Sequence, residues 1–243
     1  MQINLGSIQI PINAATKTFA ILAKRGAGKT HTGGVMAEEF YKNNIPFVAF
    51  DPIDVWWGLR LLADGKSKGL PVVVFGKEHA DIQLDRDMGR RIAQAIVKKN
   101  ISCVISTFGL PKKAQRFLIA EFAEELLAIN NIPRHIFVEE AHEFIPQRVF
   151  GEMGKTFNAV SNLVTMGRNR GLGVTMLNQR AATLNKDVLR RLIHPHRKFT
   201  RTQIGLAVGL KSGTGSFATY MSTLRRNKLI IEQNGESQLN PDL

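Results

Sequence analysis

The feature that most constrains this chain is an apolar strand that runs directly into a glycine-rich turn and then a helix. Thr18-Phe19-Ala20-Ile21-Leu22-Ala23 has the pattern of a buried strand, Lys24-Arg25-Gly26-Ala27-Gly28-Lys29-Thr30 follows, and a helical pattern extends from Lys29 to Lys42. Strand, loop and helix together are the context in which such a loop cradles a phosphate. Small residues at Gly26, Ala27 and Gly28 let successive backbone N–H groups close around an anion at the positive end of the helix. Lys29 then meets the terminal phosphates and the Thr30 hydroxyl ligates Mg²⁺. Lys24, Arg25 and His31 flank this nucleotide-binding set. The pattern departs from its usual form at Ala23, where a glycine is expected; that position belongs to the turn out of the strand and not to the cradle.

The periodicity beyond the loop alternates strand and helix. Strands read at 47–50, 72–75, 101–105, 136–138 and 173–177, with an amphipathic helix whose apolar stripe is Met88, Ile92, Ala95 and Ile96 and which has Asp85 near its N-terminus, a helix from near 111 onward and one around 158–166. A last strand reads at 228–231, a hairpin tip at 65–69 and a flexible loop at 211–216. The expected fold class is therefore α/β, a largely parallel sheet with helices on both faces and ligands at the carboxyl ends of the strands. With 243 residues, 44% hydrophobic and 22% charged, the chain can bury a full core without disulfides, and Cys103 reads as core. No run of 18 apolar residues and no signal-peptide pattern occurs, so a cytoplasmic protein with no membrane partner is expected, in the host cytoplasm if the chain is viral.

The net charge of +13 is unevenly placed. Residues 165–228 hold 13 Lys and Arg against one acidic residue, a concentration that suits a polyanion footprint or a subunit face. A second chemical motif is the strand Ile136-Phe137-Val138 delivering Glu139 and Glu140, 110 residues after Lys29. At the carboxyl end of a parallel strand, Glu139 can enter the Mg²⁺ shell while Glu140 polarises the attacking water. Asp is the usual residue in the first position; the longer Glu139 alters the contact or routes it through water. The six histidines have no cysteine partners and no zinc-type spacing, and no metal besides nucleotide-bound Mg²⁺ is expected. Trp56 and Trp57 read as packing ahead of base or nucleotide stacking.

Four blocks carry a family resemblance: residues 24–30; Asp51-Pro52 followed by Trp56-Trp57-Gly58-Leu59-Arg60; Glu139-Glu140-Ala141-His142-Glu143-Phe144; and Gly167-Arg168-Asn169-Arg170-Gly171-Leu172-Gly173 through Asn178-Gln179-Arg180. In order and spacing, over about residues 15–200, the chain resembles the HerA branch of the HerA/FtsK ATPases. The resemblance implies a RecA-like P-loop NTPase core, ATP hydrolysis at the subunit interfaces of a hexameric ring, and double-stranded DNA drawn through a central pore. It implies that Asp51 faces the γ-phosphate side and that Gln179 is a polar sensor; a side-chain amide there can bond both a γ-phosphate oxygen and the water.

Arg168 and Arg170 are the expected fingers reaching a neighbour's ATP, because a guanidinium gives fixed bidentate charge to a phosphoryl transition state. Arg180 is a cis contact, and Lys17 matches an interface position of the family. Lys211, Lys66 and Lys68 are expected to face DNA. The chain reads as one domain over 1–243, with the matched core at about 15–200 and a short extension over 201–243. The phosphate loop begins about twenty residues in, without a preceding barrel domain in this sequence. A minimal motor core is therefore expected, nearer in size to viral genome-packaging members. The expected activity is an ATP-hydrolysing ring motor that translocates double-stranded DNA, cellular or viral, with a nuclease or capsid as a further partner. The alternatives are a viral packaging ATPase of the same superfamily and an ATP-gated assembly switch that moves nothing; the intact Lys29, Thr30 and Glu140 argue against a non-catalytic DNA-binding protein.

Overall fold

The structure, a computed structural model, describes residues 2–6, 8–180, 183–185, 188, 199–202, 204, 212–227 and 230–239. The chain divides into two compact units, Met1–Val188 and Leu189–Leu243.

The first unit is built on a seven-stranded sheet. Its strands are β3 (Thr18–Leu22), β4 (Phe47–Asp51), β5 (Val73–Gly76), β6 (Ile82–Gln83), β7 (Cys103–Ser106), β8 (Arg134–Val138) and β9 (Leu172–Asn178). Their order is β3-β9-β8-β4-β7-β5-β6, and every pairing is parallel. This is the RecA-like P-loop NTPase fold. One strand, β9, lies between the phosphate-loop strand and the acidic strand, so the two motifs are about 10 Å apart across the sheet. Chain order brings β9 in last, and linear spacing carries no trace of where it inserts.

Helix α1 (Lys29–Lys42) covers one face, with Met36, Ala37 and Phe40 packed among Phe47, Ala49, Phe137 and Leu177. The alternate residue Phe50 points the other way and meets Phe122 of α3 (Lys112–Ile129) edge to face at 5.0 Å. α2 (Gly89–Lys99) and α4 (Met153–Met166) flank α3. Strands buried on both faces need continuous apolar runs, as 47–50 supplies.

At the amino edge of β8, Arg134 is fully buried and, among the described residues, pairs with no carboxylate. Its guanidinium donates to the Ile101 and Ile96 carbonyls at 2.9 and 3.1 Å and to Asn130 Oδ1 at 3.2 Å. It thereby ties together the C-terminal ends of α2 and α3, whose dipoles favour a cation. Beside it, His135 donates from Nδ1 to the Ala15 carbonyl at 2.7 Å and accepts at Nε2 from Thr175 Oγ1 at 2.7 Å. Burial pulls its pKa down to about 4 against the opposing effect of the Ala15 bond.

Two hairpins lie outside the sequence reading. β1 (Gln2–Leu5) and β2 (Ile8–Pro11) pair antiparallel in the first unit. In the second unit β11 (Ile230–Gln233) turns at Asn234-Gly235, both at positive φ, into β12 (Glu236–Leu239), which also pairs with β10 (Phe199–Thr200). Of the strand expected at 228–231, residues 230 and 231 open the first arm of this hairpin, and 228 and 229 lie outside the described residues. α5 (Gly215–Arg226) belongs to this unit, where Glu232 binds Arg225 at 2.9 Å and Arg201 at 3.5 Å. Among the described residues no helix is long and apolar enough to cross a membrane.

Candidate functional site

β3 ends at Leu22, and after six intervening residues α1 begins at Lys29. Gly26 (φ 79°) and Gly28 (φ 83°) take left-handed conformations that side chains resist, and among the described residues nothing lies within 4 Å of where their Cβ atoms would stand. The loop is thereby bent and open on that side, as a phosphate cradle requires. Lys24, Arg25, Ala27 and His31 are exposed around it. Thr30 is half-buried in the first turn of α1, and Thr32 Oγ1 donates to the Gly28 carbonyl at 3.0 Å.

Lys29 folds under the loop toward the acidic strand. Its ammonium donates to Glu139 Oε1 and lies 3.4 Å from Glu140 Oε1. Lys29 is 9% exposed and Glu139 fully buried, so the lysine supplies the counter-charge that two adjacent carboxylates need inside the protein. Glu139 Oε2 accepts the Trp56 indole N–H at 3.2 Å. Glu140 has left-handed backbone (φ 48°, ψ 48°), a costly conformation for a residue with a side chain. Gln179 Nε2 donates to Glu140 Oε1 at 3.4 Å. Glu140 Oε2 is shielded from solvent and accepts no hydrogen bond among the described residues. An orphaned carboxylate oxygen there fits a group that takes a proton from a water. Thr30 and Glu139 offer only oxygen ligands, the donor chemistry that a hard cation such as Mg²⁺ takes.

Three residues of the site were not legible as such. The first is Asn178, fully buried at the tip of β9. It donates to the Arg180 carbonyl (2.7 Å) and Thr183 Oγ1 (2.8 Å) and accepts the Nδ1–H of His142 (2.7 Å). It ties the end of β9 to the turn that carries Glu140; no spacing announces it, although it adjoins Gln179. His142 is the second, with Nδ1 3.4 Å from Glu140 Oε2. Trp56 is the third. Packing was the favoured sequence reading, and the ring does pack, but its N–H enters the site.

Asp51 and Trp57 engage partners within the chain. Asp51 is fully buried, and both its oxygens turn back onto its own loop, accepting backbone N–H bonds from Ile53 (3.0 Å), Val55 (2.6 Å) and Trp56 (2.7 Å). The carboxylate is engaged in shaping that loop. Burial pushes its pKa up to about 6, with Glu139 adding to the rise and the three backbone bonds opposing it. Trp57 stacks on His79 at 3.8 Å within the chain. The histidines had no metal role by spacing, yet in space Asp54, Glu78 and His79 bring three ligand atoms within 4.8 Å of one another.

Arg168 and Arg170 are exposed in the 3-10 turn before β9, at the amino edge of the sheet with Lys17. The seven residues of β9 span about 20 Å, so in their own chain these arginines are on the far side from Lys29. Arg180 is exposed at the near end. Lys66 and Lys68 are exposed on a hairpin tip closed by Leu62 N–H to the Ser67 carbonyl, and Lys211 lies outside the described residues.

The family model described as "Helicase HerA, central domain" matches residues 4–54, which contain β3, the phosphate loop, α1 and β4. No curated protein matches the sequence. Among solved structures, the genome packaging NTPase B204 of Sulfolobus turreted icosahedral virus 2, in complex with ATP-gammaS, is 11% identical. That likeness covers 73% of this chain and 71% of that one, with TM-score 0.45. The pCW3 conjugation coupling protein TcpA, with ATPgS, is 12% identical over 96% of this chain and 60% of its own, with TM-score 0.43. The N-terminal domain of zonular occludens toxin from Neisseria meningitidis is 16% identical over 75% and 74%, with TM-score 0.35.

Proposed function

We propose that this chain, a P-loop NTPase of the HerA/FtsK superfamily, is a ring-forming motor that hydrolyses ATP to translocate double-stranded DNA. The observation that carries the reading is the convergence of Lys29, Glu139, Glu140 and Gln179 beside the amino end of α1. On nucleotide binding, backbone N–H groups of residues 26–29 hold the phosphates, and Lys29 exchanges its two carboxylates for phosphate oxygens. That exchange releases Glu140 Oε1 from Lys29 and leaves it with Gln179, beside the unpartnered Oε2. Glu140 then takes a proton from a water as the water oxygen bonds the γ-phosphorus. The bond from that phosphorus to the bridging oxygen breaks, and ADP and phosphate leave. A divalent cation bound by Thr30 and Glu139 supplies charge neutralisation for the phosphate oxygens. Gln179, within reach of Glu140, orients the water and registers loss of the γ-phosphate through its own strand.

The distance between Arg168 or Arg170 and the phosphate loop of the same chain favours a finger that acts on a neighbouring subunit, and with it a ring, read as a hexamer. The basic segment 165–228, which includes Lys211, and the exposed Lys66 and Lys68 suit sequence-tolerant contact with DNA phosphates. The proposed place of action is the cytoplasm, or the host's for a viral chain.

Lys29→Ala is expected to lose ATP binding, whereas Glu140→Gln binds ATP and slows hydrolysis by roughly 10²- to 10⁴-fold. Equal hydrolysis by wild type and Glu140→Gln would remove the catalytic assignment. Displacement of a third strand from a triplex during ATP hydrolysis tests movement. Hydrolysis without displacement identifies an ATP-gated switch instead.

A further inference from the structure

Asp51 and Trp56 take no part in the steps above, yet they form a continuous chain of contacts into the site. The Asp51 carboxylate collects the N–H groups of Ile53, Val55 and Trp56, which fixes the entry into the 3-10 turn Trp56–Arg60. Trp56 is 2% exposed. Its ring lies 5.1 Å from that of Phe137, two residues before Glu139, and against Gly33 of α1. A Cβ at Gly33 would stand 3.0 Å from Trp56 Cη2 and 2.8 Å from Leu177 Cδ2, so the absence of a side chain there makes the slot. From that slot the indole N–H reaches Glu139 Oε2 at 3.2 Å while Lys29 holds Oε1.

Glu139 stands where an aspartate is usual, and the two-sided grip accounts for the longer side chain. An aspartate would withdraw the carboxylate by about 1.5 Å, one carbon–carbon bond, and could not keep both contacts with the backbone where it is. A glutamate has an additional rotatable bond, and a free one would spread its oxygens over several positions. We propose that Asp51 and Trp56 are positioning residues, and that the Trp56 N–H fixes the conformation of Glu139 so that one defined oxygen serves the phosphate-loop side. The proposal rests on the reading that Lys29 and Glu139 serve a nucleotide and its cation.

The test compares Trp56→Phe, Glu139→Asp and the double variant. Trp56→Phe keeps an aromatic ring against Gly33 and Phe137 but removes the donor. Three quantities are measured: affinity for a non-hydrolysable ATP analogue with magnesium and in EDTA, kcat and KM separately, and the melting temperature. Trp56→Phe should leave affinity in EDTA within about twofold, and lower both the magnesium-dependent gain in affinity and kcat by roughly tenfold, with KM rising as that affinity falls, as loss of a residue that orients a metal ligand does. On the Glu139→Asp background, where the bond cannot form, it should add nothing. Asp51→Asn, which keeps one of the two acceptor oxygens, should give a milder form of the same pattern and guards against a Trp56 variant that melts early. Effects that add across the two sites mean that Trp56 acts by packing, and overturn the proposal alone provided Lys29→Ala abolishes binding. If Lys29→Ala binds the analogue as wild type does, the nucleotide reading falls and the proposal with it.

Discussion

His135 shows how much a single side chain's surroundings decide. A histidine one residue into a strand could have been an exposed titrating group; here it is sealed between Ala15 and Thr175 and kept neutral, with its pKa near 4. Because the folded value lies below the ordinary 6.5, the unfolded chain takes up the proton first, and folding stability is lost as pH falls from about 6.5 to about 4. Asp51 has the opposite sign: its raised pKa of about 6 removes stability as pH rises through that range. A comparison with His135→Asn separates the two. The stability of wild type minus that of the variant, from urea midpoints at each pH, should grow by about 3 kcal/mol between pH 4 and 6.5. A difference that stays flat would mean that His135 titrates normally in the folded protein.

At the scale of the element, β9 has two ends with different tasks. Its carboxyl end holds Asn178 and Gln179 against the Glu140 turn, and its amino end presents Arg168 and Arg170 on the other side of the sheet. Asn178 is the structural joint. Asn178→Ala removes the acceptor of His142 and the two donations that pin residues 180 and 183. It is expected to cost about 1–3 kcal/mol of stability by leaving buried groups unpaired. With ATP binding retained through the phosphate loop, hydrolysis should fall more than affinity. Matching losses in both would place Asn178 in general support of the fold.

For the molecule as a whole, the separation of the arginines from the phosphate loop leads to an experiment on mixed assemblies. Glu140→Gln and Arg168→Ala or Arg170→Ala are each expected to be inactive alone, a finger in trans being worth roughly 10³- to 10⁵-fold in other phosphoryl-transfer systems. Mixed rings would contain some junctions with an intact glutamate on one side and an intact arginine on the other, and part of the activity should return. Mixed rings that form and recover nothing exclude that arginine. Arg201 is the poorer next choice, since Glu232 holds it and its guanidinium lies 5.5 Å over the Phe217 ring; Lys17, exposed at the same sheet edge as Arg168, is the better one.

The sequence by itself determined the elements whose signals are local: α1 over 29–42, the apolar strands of the sheet, the glycine loop and the carboxylate pair at the end of β8. Each follows from residues adjacent in the chain, through periodicity, backbone freedom or strand polarity. Asn234-Gly235 was also a local signal, the dipeptide of a tight hairpin, and it marks β12 although the strand pattern stopped at 231. Tertiary structure alone decided what depends on order across the sheet. It inserted β9 between β3 and β8, turned Asp51 back onto its loop, brought the Trp56 indole 83 residues along the chain to Glu139, and set Asn178 against His142. Such contacts arise from which strand pairs with which, and an isolated segment of sequence carries no energy term for a partner it meets only after the sheet has formed.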